Sequence, residues 1–197
     1  MRIIAGRWRS RALLRPSGEQ TRPMPDRVKE AVFDILGSLL TEPGSLPPVP
    51  VADVFAGSGA LGLEAMSRGA AVCYFFERHP HVLAVLRANV QALDAGADAR
   101  IMPVDAWQAP WHCVAREHLV KLLLVDPPFR DSRDASAAGK VGRFLARAAA
   151  SDRIAADAIA LLHHEKCAAY DVDEPAGWRR FDARCYGINA LTFFRRC

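Results

Sequence analysis

Leu122-Leu123-Leu124-Val125 is an unbroken aliphatic run that stops at an acid and two prolines, Asp126-Pro127-Pro128. A run this short suits a strand better than a helix, and a strand with no polar alternation has both faces covered. Helices on both sides of a sheet are what parallel strands joined by helical crossovers produce. The rest of the chain fits that constraint. Strands are expected over residues 51–55, 72–76, 100–104 and 158–162, with helices over 61–68, 80–93 and 142–150. Residues 179–186 and 191–195 read as a closing antiparallel pair. The predicted class is α/β, a mostly parallel, doubly wound, Rossmann-like sheet.

The segment before residue 51 is different in kind. Over residues 1–29 eight basic side chains face only Glu19 and Asp26, a net of +6 in a chain whose total is +4, so the remainder is at −2. Positive charge gathered in one arm suits a phosphate backbone, and it also suits a plain solvated end. Ile3-Ile4 and Leu13-Leu14 read as the two sides of a hairpin. Pro25 and Asp26 open a helix whose Val28, Ala31, Val32, Ile35, Leu36 and Leu39 follow helical spacing. The prolines between Thr41 and Pro50 make a linker. The expected organisation is therefore an extension over 1–50 and a catalytic domain over 51–197.

Five cysteines with no Cys-x-x-Cys pair point to reduced thiols and a cytoplasmic setting. No apolar run has the length of a membrane span, and the arginine-rich start lacks the core of a signal peptide. Neither membrane nor metal is expected, and a monomer is.

In such sheets ligands bind beyond the carboxyl ends of the strands. After the first predicted strand comes Asp53-Val54-Phe55-Ala56-Gly57-Ser58-Gly59-Ala60-Leu61-Gly62. Its glycines permit positive φ and let a ligand approach bare backbone at a helix start. The expected cofactor contacts here are Asp53, Phe55, Gly57, Ser58, Gly59 and Gly62. The spacing of Gly57, Gly59 and Gly62 also matches the dinucleotide fingerprint, so the loop alone specifies a nucleotide and no more. Glu77, at the second strand end, suits the hydroxyls of a ribose. Asp105 and the N–H of Ala106, at the third, suit an adenine.

Asp126-Pro127-Pro128-Phe129 narrows the chemistry. An exocyclic amine on a base is a poor nucleophile, because its lone pair is delocalised into the ring. Two acceptors placed on its hydrogens bend it out of plane: the Asp126 carboxylate and a carbonyl near Pro127. Prolines bring no competing N–H and hold the backbone extended. Phe129 offers a flat face to an extruded base, with Pro128 beside it. Asp126, Pro127 and Phe129 are the expected catalytic residues. S-adenosylmethionine, with its methyl sulfonium, is the expected donor.

Other polar residues are set aside. His163-His164-Glu165 resembles a metal cluster, but neighbours on a strand point to opposite faces and cannot share an ion. They read as strand-end polar residues. His112 and His118 lie near Trp107 and Trp111, where packing is the expected role.

Together these features resemble the bacterial small-subunit ribosomal RNA methyltransferases D, which make N2-methylguanine in 16S rRNA. The likeness is carried by Arg2-Ile3-Ile4-Ala5-Gly6 with Trp8-Arg9-Ser10-Arg11, by Arg22-Pro23 with Asp26-Arg27-Val28-Lys29-Glu30 and Phe33, by residues 53–65, by residues 126–129, and by Tyr186-Gly187 with Leu191 and Arg195. It implies a seven-stranded class I methyltransferase fold, S-adenosylmethionine held by Asp53, the 57–62 loop, Glu77 and Asp105, and ribosomal RNA or a ribosomal subunit as partner. Arg7, Arg9, Arg11, Arg22 and Arg27 are then the expected RNA contacts. Met24-Pro25 stands where threonines are expected. Three alternatives stay open: an adenine amine as target, a nicotinamide-dependent dehydrogenase, and an RNA-binding relative without catalysis.

Overall fold

The computed structural model describes residues 1–17, 24–134, 136–166 and 174–197. Arg22, Pro23 and Cys167 lie outside the described residues. Two compact units are present, Met1–Ala106 and Trp107–Cys197.

In the first unit the arm folds back on itself through one antiparallel bridge, Arg2↔Ala12, which buries Ile3 and Leu13. This is the hairpin expected from Ile3-Ile4 and Leu13-Leu14, although Leu14 remains exposed. Helix α1 spans Asp26–Leu40 and buries Val28, Lys29, Val32, Phe33, Leu36 and Gly37. The buried stripe is rotated from the predicted one, leaving Leu39 exposed and bringing in Lys29. Met24, the departure noted above, is a buried residue.

There follow β1 (Pro50–Asp53), α2 (Ala60–Ser67), β2 (Val72–Phe76), α3 (Pro80–Ala92) and β3 (Ala99–Met102). The order is β3-β2-β1, all parallel, with Val51 beside Cys73 and Phe75 beside Ile101. Every residue of β2 is buried, as expected of a strand covered on both faces. β1 and β3 are shorter than predicted. Val54 and Phe55 have left the strand, and Phe55 sits at φ 132°, a region L side chains rarely adopt. Aliphatic content alone could not mark that turn.

A buried ionic knot ties the arm to α2. Glu64, fully buried, accepts from Lys29 Nζ at 2.9 Å, Arg68 Nε at 2.8 Å, and the backbone N–H groups of Ile4 and Ala5 at 2.8 and 3.0 Å. Lys29 also donates to the Arg2 carbonyl, and Arg68 lies over the Phe33 ring. Ser67 completes the seam by accepting from the N–H groups of Arg7 and Trp8. The Arg68 guanidinium donates to the Gly44 carbonyl, and Leu46 N–H donates to the Arg68 carbonyl. The proline-rich connection is therefore fixed at both points.

The second unit contains β4 (Val120–Val125), α4 (Phe129–Ser132), α5 (Lys140–Ala149), β5 (Ile154–Glu165), β6 (Trp178–Tyr186) and β7 (Asn189–Arg196). The order is β4-β5-β7-β6, parallel for the first pair and antiparallel thereafter. The predicted closing hairpin is present. β5 runs well past its predicted bounds, because Ile154 pairs with Val120 at one end and Glu165 with Asn189 at the other. Phe144 packs against both Trp107 and Trp111, whereas His112, for which packing was the expected role, is exposed. The Trp178 indole donates to the Leu145 carbonyl at 2.7 Å, fastening β6 to α5. The seven strands give the α/β class with a mostly parallel sheet, as the sequence implied.

Candidate active site

In the first unit the chain leaves β1 at Asp53 and turns through Phe55 into the glycine loop. Gly57 adopts φ 54°, and a Cβ built there would meet only the Phe55 carbonyl oxygen, at 4.0 Å. Open space beside bare backbone is what a bound nucleoside requires. Gly62 is glycine for another reason: a Cβ would fall 2.4 Å from the Phe75 ring and 2.7 Å from Cys73 Sγ, so α2 could not lie this close to β2.

The acids around the loop divide their work. Asp53 is buried and accepts from Gly62 N–H at 2.8 Å, which braces the loop from below. Burial, and then the Asp53 charge, push the Cys73 thiol up from its ordinary value. Glu77, twenty positions from Gly57, accepts from that residue's N–H at 3.2 Å with one oxygen, and from Arg78 and His79 N–H with the other. Two strand ends separated in sequence thus meet at one carboxylate. Asp105 lies beyond the end of β3 and pairs with Arg78 at 2.8 Å; Ala106 behind it is buried. Ser58, expected to meet the cofactor, has its hydroxyl 3.7 Å from the Met1 sulfur, and its carbonyl accepts from Asn89.

Asn89 was not foreseen. It is almost wholly buried, and its amide donates to the carbonyls of Ser58 and Leu14 while its oxygen accepts from Leu14 N–H at 2.8 Å. One side chain joins the arm to the glycine loop. The signal was available in the helical spacing of Val82, Leu86 and Asn89, an amide at a core position. Asn89→Ala removes the side-chain partner of three backbone groups, the buried Ser58 carbonyl and the part-buried N–H and carbonyl of Leu14. It is expected to lower unfolding free energy by about 1–3 kcal/mol and to weaken S-adenosylhomocysteine binding. Urea unfolding and calorimetric titration check this; wild-type values in both would refute the link.

Among the arm's arginines, Arg7, Arg9 and Arg27 are exposed, Arg7 stacking on the Trp8 ring at 4.0 Å. Arg11 is exposed too but donates to the Ala92 carbonyl at 2.7 Å. Arg22 lies outside the described residues.

In the second unit β4 delivers Asp126 at its carboxyl end, as predicted. Its Oδ1 is 2.7 Å from Nδ1 of His163, whose Nε2 is 3.0 Å from Asn189 Oδ1. Asp126 is about a quarter exposed (27%), against 3% for His163, and among the described residues no partner meets its Oδ2. Pro127 is buried and no donor among the described residues meets its carbonyl, whereas the Pro128 carbonyl accepts from Asp131 N–H. Phe129 is half-buried at the first turn of α4, its ring edge-on to His163 at 5.3 Å.

The reading of His163 as a mere strand-end polar residue is corrected here. Alternation along β5 does send His163 and His164 to opposite faces, but one of those faces carries Asp126. The Asp126 charge and two hydrogen bonds raise the His163 pKa from its ordinary value, overcoming burial, the largest single influence, which lowers it. His164 faces Thr192 and is held neutral, its pKa lowered to about 4 by burial. Among the described residues no group of three or more metal-ligating side chains gathers, and no helix is long and apolar enough to cross a membrane.

Residues 1–195 match the family described as Conserved hypothetical protein 95. A Bacillus subtilis protein, YlbH, named as an rRNA methyltransferase, is 33% identical over 133 residues, 68% of this chain and 69% of that one. Ribosomal RNA small subunit methyltransferase D of Escherichia coli is 38% identical over 130 residues, 66% of this chain and 61% of its own length. This chain thus spans less than two thirds of the latter relative. Among solved structures, the Escherichia coli protein yhhF, described as a methyltransferase, superposes with TM-score 0.76 and 30% identity over 100% of this chain and 97% of that one. An RNA methyltransferase from Salinibacter ruber, in complex with S-adenosyl-L-homocysteine, has TM-score 0.61 at 11% identity over 89% and 94% of the two chains, a likeness of fold alone. The expected cofactor, S-adenosylmethionine, agrees with these relatives and with the open backbone at Gly57. On this match the chain belongs to the Conserved hypothetical protein 95 family, is similar to a small-subunit ribosomal RNA methyltransferase D, and has the S-adenosylmethionine-dependent methyltransferase fold.

Proposed function

We propose that this chain methylates the N2 amino group of a guanine in small-subunit ribosomal RNA. The observation that carries the reading is Asp126: about a quarter exposed at the end of a buried strand, one oxygen held and the other without a partner among the described residues, next to a proline whose carbonyl meets no donor among them. When bound, S-adenosylmethionine supplies an electrophilic methyl group on a sulfonium. Gly57 and Glu77 would hold the adenosine, with Asp53 bracing the loop and Asp105 toward the base.

Asp126 Oδ2 and the Pro127 carbonyl would each accept one hydrogen of the target amine, so that its lone pair localises on nitrogen. The N–CH3 bond forms as the S–CH3 bond breaks, the electron pair of the latter going to sulfur. One amine proton passes to the Asp126 carboxylate and on to water. The partly exposed Phe129 and Pro128 would lie against the base. Arg7, Arg9 and Arg27, exposed on the arm and α1, would meet phosphates, with Arg11 and Arg22 as further candidates.

Small-subunit RNA incubated with the enzyme and methyl donor, then digested to nucleosides for mass spectrometry, tests this directly. N2-methylguanosine is the expected product. N6-methyladenosine would move the target to adenine, and tight RNA binding with no methyl incorporation would favour the non-catalytic reading.

A further inference from the structure

His163 and Asn189 form a hydrogen-bonded chain behind the carboxylate, and its geometry bears on the proton count of the ring. The Asn189 amide nitrogen donates to the Tyr186 carbonyl at 3.2 Å, which leaves its oxygen facing His163 Nε2 at 3.0 Å. The other ring nitrogen faces the Asp126 carboxylate at 2.7 Å. Both ring nitrogens therefore meet acceptors, and only a doubly protonated imidazole has a proton for each. A neutral ring would set one lone pair against an oxygen inside a site where the ring is 3% exposed.

We propose that His163 is a protonated positioning residue, whose imidazolium grips one oxygen of Asp126 and presents the other to the incoming amine. This rests on the reading of Asp126 given above. Rotation about the carboxylate's Cβ–Cγ bond would otherwise exchange its two oxygens. A charge-assisted bond of this length holds it, because such bonds are shorter and stronger than neutral ones. Phe129 packs edge-to-face against the His163 ring, their centroids 5.3 Å apart.

The groups facing the ring are few. Asp126 comes from the exit of β4, the neutral Asn189 amide from β7, and the Phe129 ring from α4. On β5 itself His164 points to the other face, and Glu165 at the strand end pairs with Arg133 at 3.3 Å. The ring's pKa lies above the ordinary histidine value, so the grip is complete at low pH and is lost as pH rises through that raised value.

Two measurements separate this inference from the functional reading. In the protein alone, NMR titration of isotope-labelled histidine should place His163 above the ordinary value of about 6.5 and show a downward shift in Asp126→Asn. A ring neutral throughout that range overturns the proposal. With S-adenosylmethionine and small-subunit RNA, the single-turnover rate should fall on the alkaline side. His163→Gln keeps a donor but cannot titrate; it should lose that limb and run up to about 10²-fold slower, with KM for RNA and S-adenosylhomocysteine affinity unchanged. A retained limb or a wild-type rate in this variant overturns the proposal. His163→Asn is the second variant should glutamine prevent folding. Absence of any transfer by the wild-type enzyme would overturn the functional reading instead, while the ring titration would still report the charge of His163.

Discussion

Asp126→Ala is expected to lower kcat by on the order of 10²–10⁴-fold while S-adenosylhomocysteine affinity stays close to wild type. The groups proposed to hold the cofactor lie in the first unit, where Glu77 accepts from Gly57 N–H and Asp53 from Gly62 N–H, and none of these bonds uses Asp126. The loss falls on orientation of the amine, a transition-state interaction, so it should appear in kcat rather than in KM. Asp126→Asn sharpens the test. With His163 protonated, the amide oxygen takes the ring's Nδ1–H, and an NH2 group is left to face another NH2. Once the ring is neutral, Nδ1 can accept from the amide instead, which frees the oxygen for the target amine. The asparagine enzyme should therefore gain activity as pH rises, opposite to the wild type. Single-turnover profiles of both enzymes check this. Loss of cofactor binding with transfer preserved would sink the assignment.

The second large effect concerns folding. Glu64→Ala removes the only carboxylate in a buried knot and strands the Lys29 and Arg68 cations together with the N–H groups of Ile4 and Ala5. Removing one partner of a buried ion pair costs about 3–5 kcal/mol, far above the median for exposed pairs. In a chain of this size that corresponds to a fall in melting temperature of roughly 6–20 °C. The arm should also become the first site of proteolytic cleavage, since Glu64 holds two of its backbone N–H groups. Replacing Lys29, Glu64 and Arg68 together by methionines should restore only part of the loss. Apolar side chains remove the charges, but they leave the N–H groups of Ile4 and Ala5 and the Arg2 carbonyl without partners. Thermal melts and limited proteolysis decide the matter; a loss under about 1 kcal/mol would show that water reaches the knot.

Much of the molecule is legible in one dimension because its signals are local. The aliphatic run 122–125 states by itself that a strand is buried on both faces, and Asp126-Pro127 states where it stops. Spacing in α1 and α3, Pro80 at a helix start and the closing hairpin are equally local. Strand ends were harder: Val54, Phe55 and Val104 are as apolar as their neighbours, and only the turn geometry takes them out of β1 and β3.

What the sequence by itself determined was the class of sheet, the glycine loop and the acid-proline pair, since each is a short pattern whose physical consequence does not depend on distant residues. What only the tertiary structure decided was the partners of the charged groups. His163 reaches Asp126 across 37 positions and Asn189 across 26, through the register of β5 with β4 and β7. Glu64 meets Ile4 across 60. A charge is costly to bury alone and tolerable when paired, and pairing is a property of which strands lie side by side. Alternation along β5 correctly separates the two histidines, but the acid that makes one of them a cation comes from another strand.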